Sequence, residues 1–212
     1  MGKMMEFSAA MLKTGQLPMI QIAPNFARHF VGKILLTALL AAACLFSSRS
    51  FAAGLSETNF TLESAGARYG LPANGKARGL QQAEIFSNYD LPWLFDLGAG
   101  MSWQSRLDAT MGWIGGHGEN AFVGTLGPSL VLRRRDLPLD FDVGSSLTLL
   151  STHEWGAVNV GGRFQFTTHA GMDWDFATHW RVGYRFIHMS NAGIAHPNPG
   201  LNMHMIAFSF LF

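Results

Sequence analysis

The sequence is poor in charged residues and, after its first quarter, has no long apolar run. Only 14% of the 212 residues are charged and 48% are hydrophobic, whereas an average soluble domain has about 25% charged residues. Beyond the first quarter no apolar stretch approaches the roughly 18 residues that a membrane helix needs. The apolar residues are dispersed along the chain, which excludes a bundle of membrane helices in this part.

Cysteine is nearly absent, and the single Cys44 falls in a segment with the layout of an export signal. The segment has basic residues near Arg28, an apolar run over residues 34–46 and a small-residue end, the order found in secretory signals. We predict cleavage before Ala53, so that residues 1–52 form an N-terminal extension with a cleavable signal peptide. The remaining chain has no cysteine and can form no disulfide.

Basic clusters and cofactor motifs are also scarce. After residue 52 the only lysine is Lys76, and the one basic run is Arg133, Arg134 and Arg135. Without a basic face we expect no nucleic-acid partner. There is no phosphate loop, zinc motif or dinucleotide fingerprint, so we predict neither a metal nor a cofactor.

What the chain has in abundance is alternation. Between Trp93 and Trp113 the odd positions are almost all apolar, whereas the even positions carry Asp, Gln, Arg, Thr and Gly. Such a period of two predicts strands, because successive side chains point to opposite faces of a sheet. One face is rich in aromatics and the other in polar residues and glycine, which favours an outer-membrane barrel with lipid outside and a polar, packed interior. Closure also removes the exposed strand edges that a bilayer does not tolerate.

The pattern predicts an all-β fold over residues 53–212, an eight-stranded antiparallel transmembrane β-barrel of the outer membrane. The predicted strands are Thr58–Tyr69, Arg78–Tyr89, Trp93–Trp113, Ala121–Arg133, Leu139–Ser151, Val158–His169, Trp174–Met189 and Met203–Phe212. "YDLPW", "RRRDLP" and "AGMDWD" are then short inner turns, and "GLPANGKARG", "GGHGEN", "STHEWGA" and Asn191–Asn202 are outer loops. Side chains fill a barrel of eight strands, which disfavours a small pore as the function.

The stretch "HMSNAGIAHPNPG" carries polar residues past the end of an apolar strand face. Tyr184 and Phe186 lie on the lipid-facing side of the predicted seventh strand, and the same parity continues through His188 and Ser190. We therefore expect this pair on the outer wall at the extracellular rim, with Arg185 and Ile187 pointing inward. An imidazole base next to a hydroxyl makes that hydroxyl a useful nucleophile.

The strings "RFIHMSNAG" and "PNPGLN", followed by a short strand ending in Phe212, resemble the PagL-type lipid A 3-O-deacylases. The resemblance implies a Gram-negative outer-membrane barrel that hydrolyses the 3-O-linked acyl chain of lipid A, with its active site at the extracellular leaflet. By motif, His188 is the general base and Ser190 the nucleophile. Asn191 and the backbone of Gly193 are the candidates to hold the oxyanion.

One position departs from the family pattern, which has Glu where this chain has Asn202. Asn can orient a histidine but cannot stabilise an imidazolium by charge. Glu154 and Glu119, both in predicted outer loops, are alternative acids. The implied partners are lipid A or lipopolysaccharide, the outer-membrane bilayer and, from the aromatic C-terminal strand, the barrel-assembly machinery. The alternative function is a weak or inactive barrel with a structural or adhesive role.

Overall fold

The computed structural model describes residues 60–73, 75 and 78–212. The predicted extension, signal peptide and cleavage site, together with the first two residues of the predicted first strand, lie outside the described residues. No helix in the described ranges is long and apolar enough to cross a membrane.

The described chain is all-β. The strands are β1 Thr61–Pro72, β2 Gln81–Gly98, β3 Met101–Gly116, β4 Glu119–Arg134, β5 Leu139–Leu150, β6 Glu154–Trp155, β7 Val158–Asn159, β8 Phe164–Ala177, β9 Trp180–Ser190 and β10 Leu201–Leu211. Eight of them form one closed antiparallel barrel in the order β1-β10-β9-β8-β5-β4-β3-β2, and β6 and β7 form a separate hairpin. The predicted eight-stranded antiparallel barrel is confirmed.

The two ends of the barrel differ in their connections. One end, here called the turn end, has the tight links β2–β3, β4–β5 and β8–β9. The other, the loop end, has the link β3–β4 and the longer segments at 73–80, 151–163 and 191–200. The predicted outer loops all fall at the loop end, and "RRRDLP" is a turn as predicted.

The predicted turn "YDLPW" is wrong, because β2 continues through it to Gly98. The pairing of β2 with β3 shifts between Asp90 and Leu94, so Pro92 sits in a bulge where its missing N–H costs no ladder hydrogen bond. The chain turns later, at Gly98, Ala99 and Gly100, which all have positive φ. The predicted strand Trp93–Trp113 is therefore the end of one strand and the start of the next.

The predicted turn "AGMDWD" is also wrong, since β8 runs from Phe164 to Ala177. Gly171 lies within this strand, and its lack of a side chain has a packing reason, since a Cβ there would collide with the Asp142 carboxylate and the Arg185 side chain. A strand glycine can mark such a close approach as well as a turn. The predicted sixth strand also began too early, because Val158 belongs to the small β6–β7 hairpin.

The outer face of the barrel is apolar. Large exposed side chains on it include Ile85, Trp113, Phe122, Leu147, Leu149, Trp174, Trp180, Phe186, Ile206, Phe208 and Phe210. The lumen towards the turn end is charged: Glu63 forms ion pairs with Arg106, Arg133 and Arg181 at 2.7–3.1 Å. These buried charges are paired with one another, as a packed interior requires.

The prediction of a polar interior is wrong for the loop end. There the lumen holds a buried apolar cluster of Leu80, Ile114, Ala121, Val123, Leu150, Trp155, Val160, Ile187, Met189, Leu201, Met203 and Met205. Trp155 of the β6–β7 hairpin is completely buried among them. Near this end the inward-facing side chains of β9 and β10 are also apolar. An alternation of apolar and polar residues therefore does not mark them. The hairpin and the cluster close the loop end of the barrel.

Candidate functional site

A row of three polar side chains crosses the outer face at the loop end. Thr168 of β8 pairs with His188 of β9, which pairs with Asn202 of β10. Inward neighbours confirm the orientation: Arg185 forms an ion pair in the lumen with Asp142 at 2.8 Å. His188 therefore points outward, as the alternation along β9 predicts, and the row lies on the same wall as the apolar outer face.

His188 has a defined hydrogen-bond partner. Its Nδ1 lies 2.6 Å from Oδ1 of Asn202. Because an amide oxygen only accepts hydrogen bonds, Nδ1 carries a proton, and in the neutral ring Nε2 keeps a lone pair. Nε2 makes no hydrogen bond with any residue that the structure describes, so the imidazole is oriented and its basic nitrogen is available.

Gly200 allows this arrangement. It has a φ of +68°, and a Cβ added there would lie 2.8 Å from Cε1 of His188. A side chain at this position would therefore push the imidazole out of its place and strain the backbone. Gly200 was not among the predicted site residues, although it lies in the "PNPG" segment next to the predicted site.

Ser190 is the last residue of β9 and pairs with Phe166, a residue of the outward-facing set on β8. It lies two residues from His188 on the same face, and only 9% of its surface is exposed. Its hydroxyl forms no hydrogen bond within the described part of the chain. The structure thus brings His188, Asn202 and Ser190 to one corner of the outer wall, with a free hydroxyl and a free ring nitrogen.

Asn191 ties two loops together beside Ser190. Its Nδ2 approaches the carbonyl oxygens of Val160, Ala195 and Pro197 at 3.0–3.3 Å, and its Oδ1 accepts from the Gly193 N–H at 2.9 Å. The side chain is almost fully buried. Both predicted oxyanion donors are therefore engaged with protein acceptors in this structure.

Asn198 is a second amide side chain in the 191–200 loop. Its Oδ1 accepts from the backbone N–H of Asn191 at 3.3 Å. Its Nδ2 donates to no residue among those that the structure describes, and the side chain is half-buried. The sequence does not distinguish Asn198 from other loop residues, because a free amide donor shows only in three dimensions.

Neither alternative acid reaches His188. Glu154 lies on the β6–β7 hairpin, where its Oε1 accepts from Nδ2 of Asn159. Glu119 is exposed at the start of β4 and pairs with Gly116. Of the three residues considered for the acid position, Asn202 is the one in contact with the imidazole.

A second cluster of titratable side chains lies in the lumen. Asp108, Asp142 and His169 hold potential ligand atoms within 4.8 Å of one another. Arg185 approaches the carboxylates of Asp108 at 3.3 Å and Asp142 at 2.8 Å, and so competes with any cation. A neighbouring cavity of about 30 Å³ has room for roughly one water molecule. We interpret the cluster as an ion-pair network that fills the barrel.

Comparison with known proteins finds a matching family, a curated relative and a solved structure of similar fold. The family model described as lipid A 3-O-deacylase (PagL) matches residues 81–210. The lipid A deacylase PagL of Bordetella bronchiseptica is 34% identical over 71 residues, which are 34% of this chain and 40% of that protein. The chain thus aligns with less than half of this curated relative. A crystal structure of the outer membrane enzyme PagL has a TM-score of 0.61 and 19% identity over 70% of this chain and 99% of that one, a likeness of fold.

Proposed function

We propose a lipid A esterase activity for this chain, which belongs to the lipid A 3-O-deacylase (PagL) family. The substrate is the ester-linked acyl chain at the 3 position of lipid A, and the product is a free 3-hydroxy fatty acid. The observation that carries the proposal is the outward-facing His188, held at Nδ1 by Asn202 and sharing its wall with the Ser190 hydroxyl. A base and a nucleophile on an apolar outer wall suit a lipid substrate.

In the proposed mechanism, Nε2 of His188 takes the hydroxyl proton as Ser190 Oγ attacks the ester carbonyl. The tetrahedral intermediate collapses with cleavage of the bond to the sugar oxygen, and His188 returns the proton to that oxygen. His188 then deprotonates a water molecule, which attacks the carbonyl of the acyl-serine. The fatty acid leaves and the Ser190 hydroxyl is restored.

Asn202 is the third member of the proposed triad. Its amide oxygen fixes the tautomer and the ring orientation, which are two of the contributions that the carboxylate makes in a Ser-His-Asp triad. It lacks the third contribution, a negative charge beside the imidazolium. We therefore expect an active enzyme whose rate is lower than that of a carboxylate-bearing counterpart.

The oxyanion site is proposed at the loop that follows Ser190. The backbone N–H of Gly193 and the side-chain amide of Asn191 are the oxyanion donors predicted from the sequence. Substrate would have to replace the acceptors that they bond to in this structure. Asn198 adds a side-chain amide whose donor end is free. Preorganised donors of this kind are worth about 10²–10³ in rate when one is removed, so single alanine variants of Asn191 and Asn198 rank them.

Substrate would arrive from the side. We propose an outer-membrane location in a Gram-negative cell, because contiguous apolar surface on the outer face is unfavourable in water and suits the hydrocarbon of a bilayer. With the loop end outside the cell, the pair lies at the height of the outer leaflet, where lipid A resides. The bilayer, lipopolysaccharide and the barrel-assembly machinery are the corresponding partners.

Two observations favour a second candidate, a non-catalytic barrel with a structural or adhesive role. Asn202 supplies no charge to His188, and the Ser190 hydroxyl is not hydrogen-bonded to the imidazole. A chain that kept this fold after losing the acid would have the same features. The two candidates differ in whether lipid A is cleaved.

The experiment uses purified full-length protein in detergent micelles with isolated lipid A, and measures released 3-hydroxy fatty acid by gas chromatography. Wild type should release it, and Ser190→Ala and His188→Ala should reduce the release to background. The matched control is Ser145→Ala, because Ser145 pairs with Thr168 on the same outer wall. Release by Ser190→Ala at the wild-type rate would reject the nucleophile, and no release by a folded wild type would favour the second candidate.

A further inference from the structure

A second polar pair lies on the outer wall, deeper than the proposed catalytic corner. The Tyr184 hydroxyl and Nδ1 of His204 are 2.7 Å apart. Both residues belong to the outward-facing set, and His204 is exposed. Its ring stacks on Tyr184 at 6.0 Å and meets the edge of Phe186 at 5.5 Å. The pair is thus held on the wall by its own hydrogen bond and by ring contacts, one of them with the apolar Phe186.

The free end of this pair is Nε2 of His204, which has no hydrogen-bond partner among the described residues. A polar nitrogen that faces hydrocarbon is unfavourable unless a lipid group bonds to it. Ordinary acyl chains are bare hydrocarbon beyond the ester and offer no partner. A chain that carries a hydroxyl near its carbonyl does offer one.

We infer that His204, oriented by Tyr184, binds the 3-hydroxyl of the acyl chain and makes the site selective for 3-hydroxyacyl esters. This inference rests on the proposed function, and it adds a specificity determinant to it. A hydroxyl both donates and accepts, so it satisfies Nε2 in either tautomer of the ring. An ester or ether oxygen only accepts hydrogen bonds, so it would satisfy Nε2 only when this nitrogen carries a proton.

The depth of His204 fits such a contact. It follows Asn202 by two residues on the same face of β10, roughly 7 Å along the strand. With a strand tilt of about 40°, this separation is roughly 5 Å in depth. The hydroxyl is two carbons beyond the scissile carbonyl, and a hydrogen bond of about 2.8 Å spans the rest. The carbonyl can therefore reach the His188–Ser190 pair while the hydroxyl reaches His204.

The test uses two nitrophenyl esters of equal chain length, one with a 3-hydroxyl and one without, in detergent micelles with the full chain. His204→Phe keeps a flat ring but removes the nitrogen, and we expect about a fivefold lower kcat/KM for the hydroxylated ester, the value of one neutral hydrogen bond. The plain ester should change less than about twofold by the same reasoning. His204→Gln, which keeps a polar end, should recover part of the preference.

Two further variants keep the result interpretable. Tyr184→Phe leaves His204 in place without its orienting hydroxyl, and we expect a smaller loss confined to the hydroxylated ester. Ile206→Leu, one step deeper on the same face of β10, is the control and should alter neither rate. Heat-modifiable migration in gels verifies that each variant is folded.

Equal losses for both esters in His204→Phe, or a wild type that does not distinguish the esters, would overturn the inference while leaving the esterase proposal intact. A folded wild type that hydrolyses neither ester and no lipid A would reject the esterase proposal, and this inference with it. The two failures are therefore distinguishable by the wild-type rates alone.

Discussion

The most informative single substitution is Asn202→Asp. It replaces the amide by a carboxylate of the same shape, and the Asn202 oxygen already lies 2.6 Å from Nδ1 of His188. Nothing else in the corner needs to move. The change adds only the negative charge that the family pattern supplies at this position with Glu.

The size of the effect follows from the hydrogen bond. A neutral hydrogen bond contributes about 1 kcal/mol and a charged one about 1.5–3 kcal/mol. The carboxylate charge at residue 202 stabilises His188 most when the ring becomes an imidazolium. The difference in hydrogen-bond energy therefore lowers the activation free energy. The difference is about 0.5–2 kcal/mol; because Asn202 is half-buried and partly screened by water, we take a value in the lower half of this range, about 1 kcal/mol, which is roughly a fivefold increase in kcat.

The assay is the release of 3-hydroxy fatty acid from lipid A in micelles, with Asn202→Ala measured beside it. Alanine removes the acceptor that holds Nδ1, and we expect roughly a fivefold to tenfold decrease in kcat from that loss. A rate in Asn202→Asp equal to wild type, together with an unchanged Asn202→Ala, would refute the role of residue 202 in orienting His188.

Three other substitutions test the packing around the site. Gly200→Ala should lower activity at least tenfold, since its Cβ would lie 2.8 Å from the His188 ring. Gly118→Ala is the control for backbone strain, which is about 1–2 kcal/mol, because Gly118 also has a positive φ of +86° but a Cβ there would meet no atom within 4 Å. Trp155→Ala should lower the unfolding free energy by about 3–5 kcal/mol, measured by denaturant titration of the folded gel band. Arg185→Met should cost a similar amount, about 3–5 kcal/mol, by removing the guanidinium that pairs with Asp108 and Asp142. Adding Asp142→Asn should recover part of that loss in the same titration.

Alternation predicted the fold well because the barrel obeys it over long stretches. The inward position of Arg185 and the outward position of His188 both follow from a period of two that no bulge interrupts in β9. The closed eight-stranded barrel and the outer loops followed in the same way. Local turn signals were less informative: Pro92 marks a bulge and Gly171 a close approach.

The predicted site was partly accessible from the sequence. The spacing of His188 and Ser190 on one strand face needed only parity, whereas the contact with Asn202 depends on the register between β9 and β10. The hydrogen bonds of Asn191 and the approach of Gly200 to the imidazole depend on the three-dimensional course of the loops, which local sequence patterns do not determine. The same holds for the pair of Tyr184 and His204, which are 20 residues apart in the chain.

The most direct test of the central claim is the mass spectrum of lipid A from Gram-negative cells that express the protein. Wild type should yield lipid A that has lost one 3-hydroxyacyl chain from the 3 position, and Ser190→Ala, at equal levels in the outer membrane, should yield intact lipid A. An unchanged spectrum with correctly inserted wild type would contradict the proposed activity, and a shifted spectrum with Ser190→Ala would contradict the proposed nucleophile.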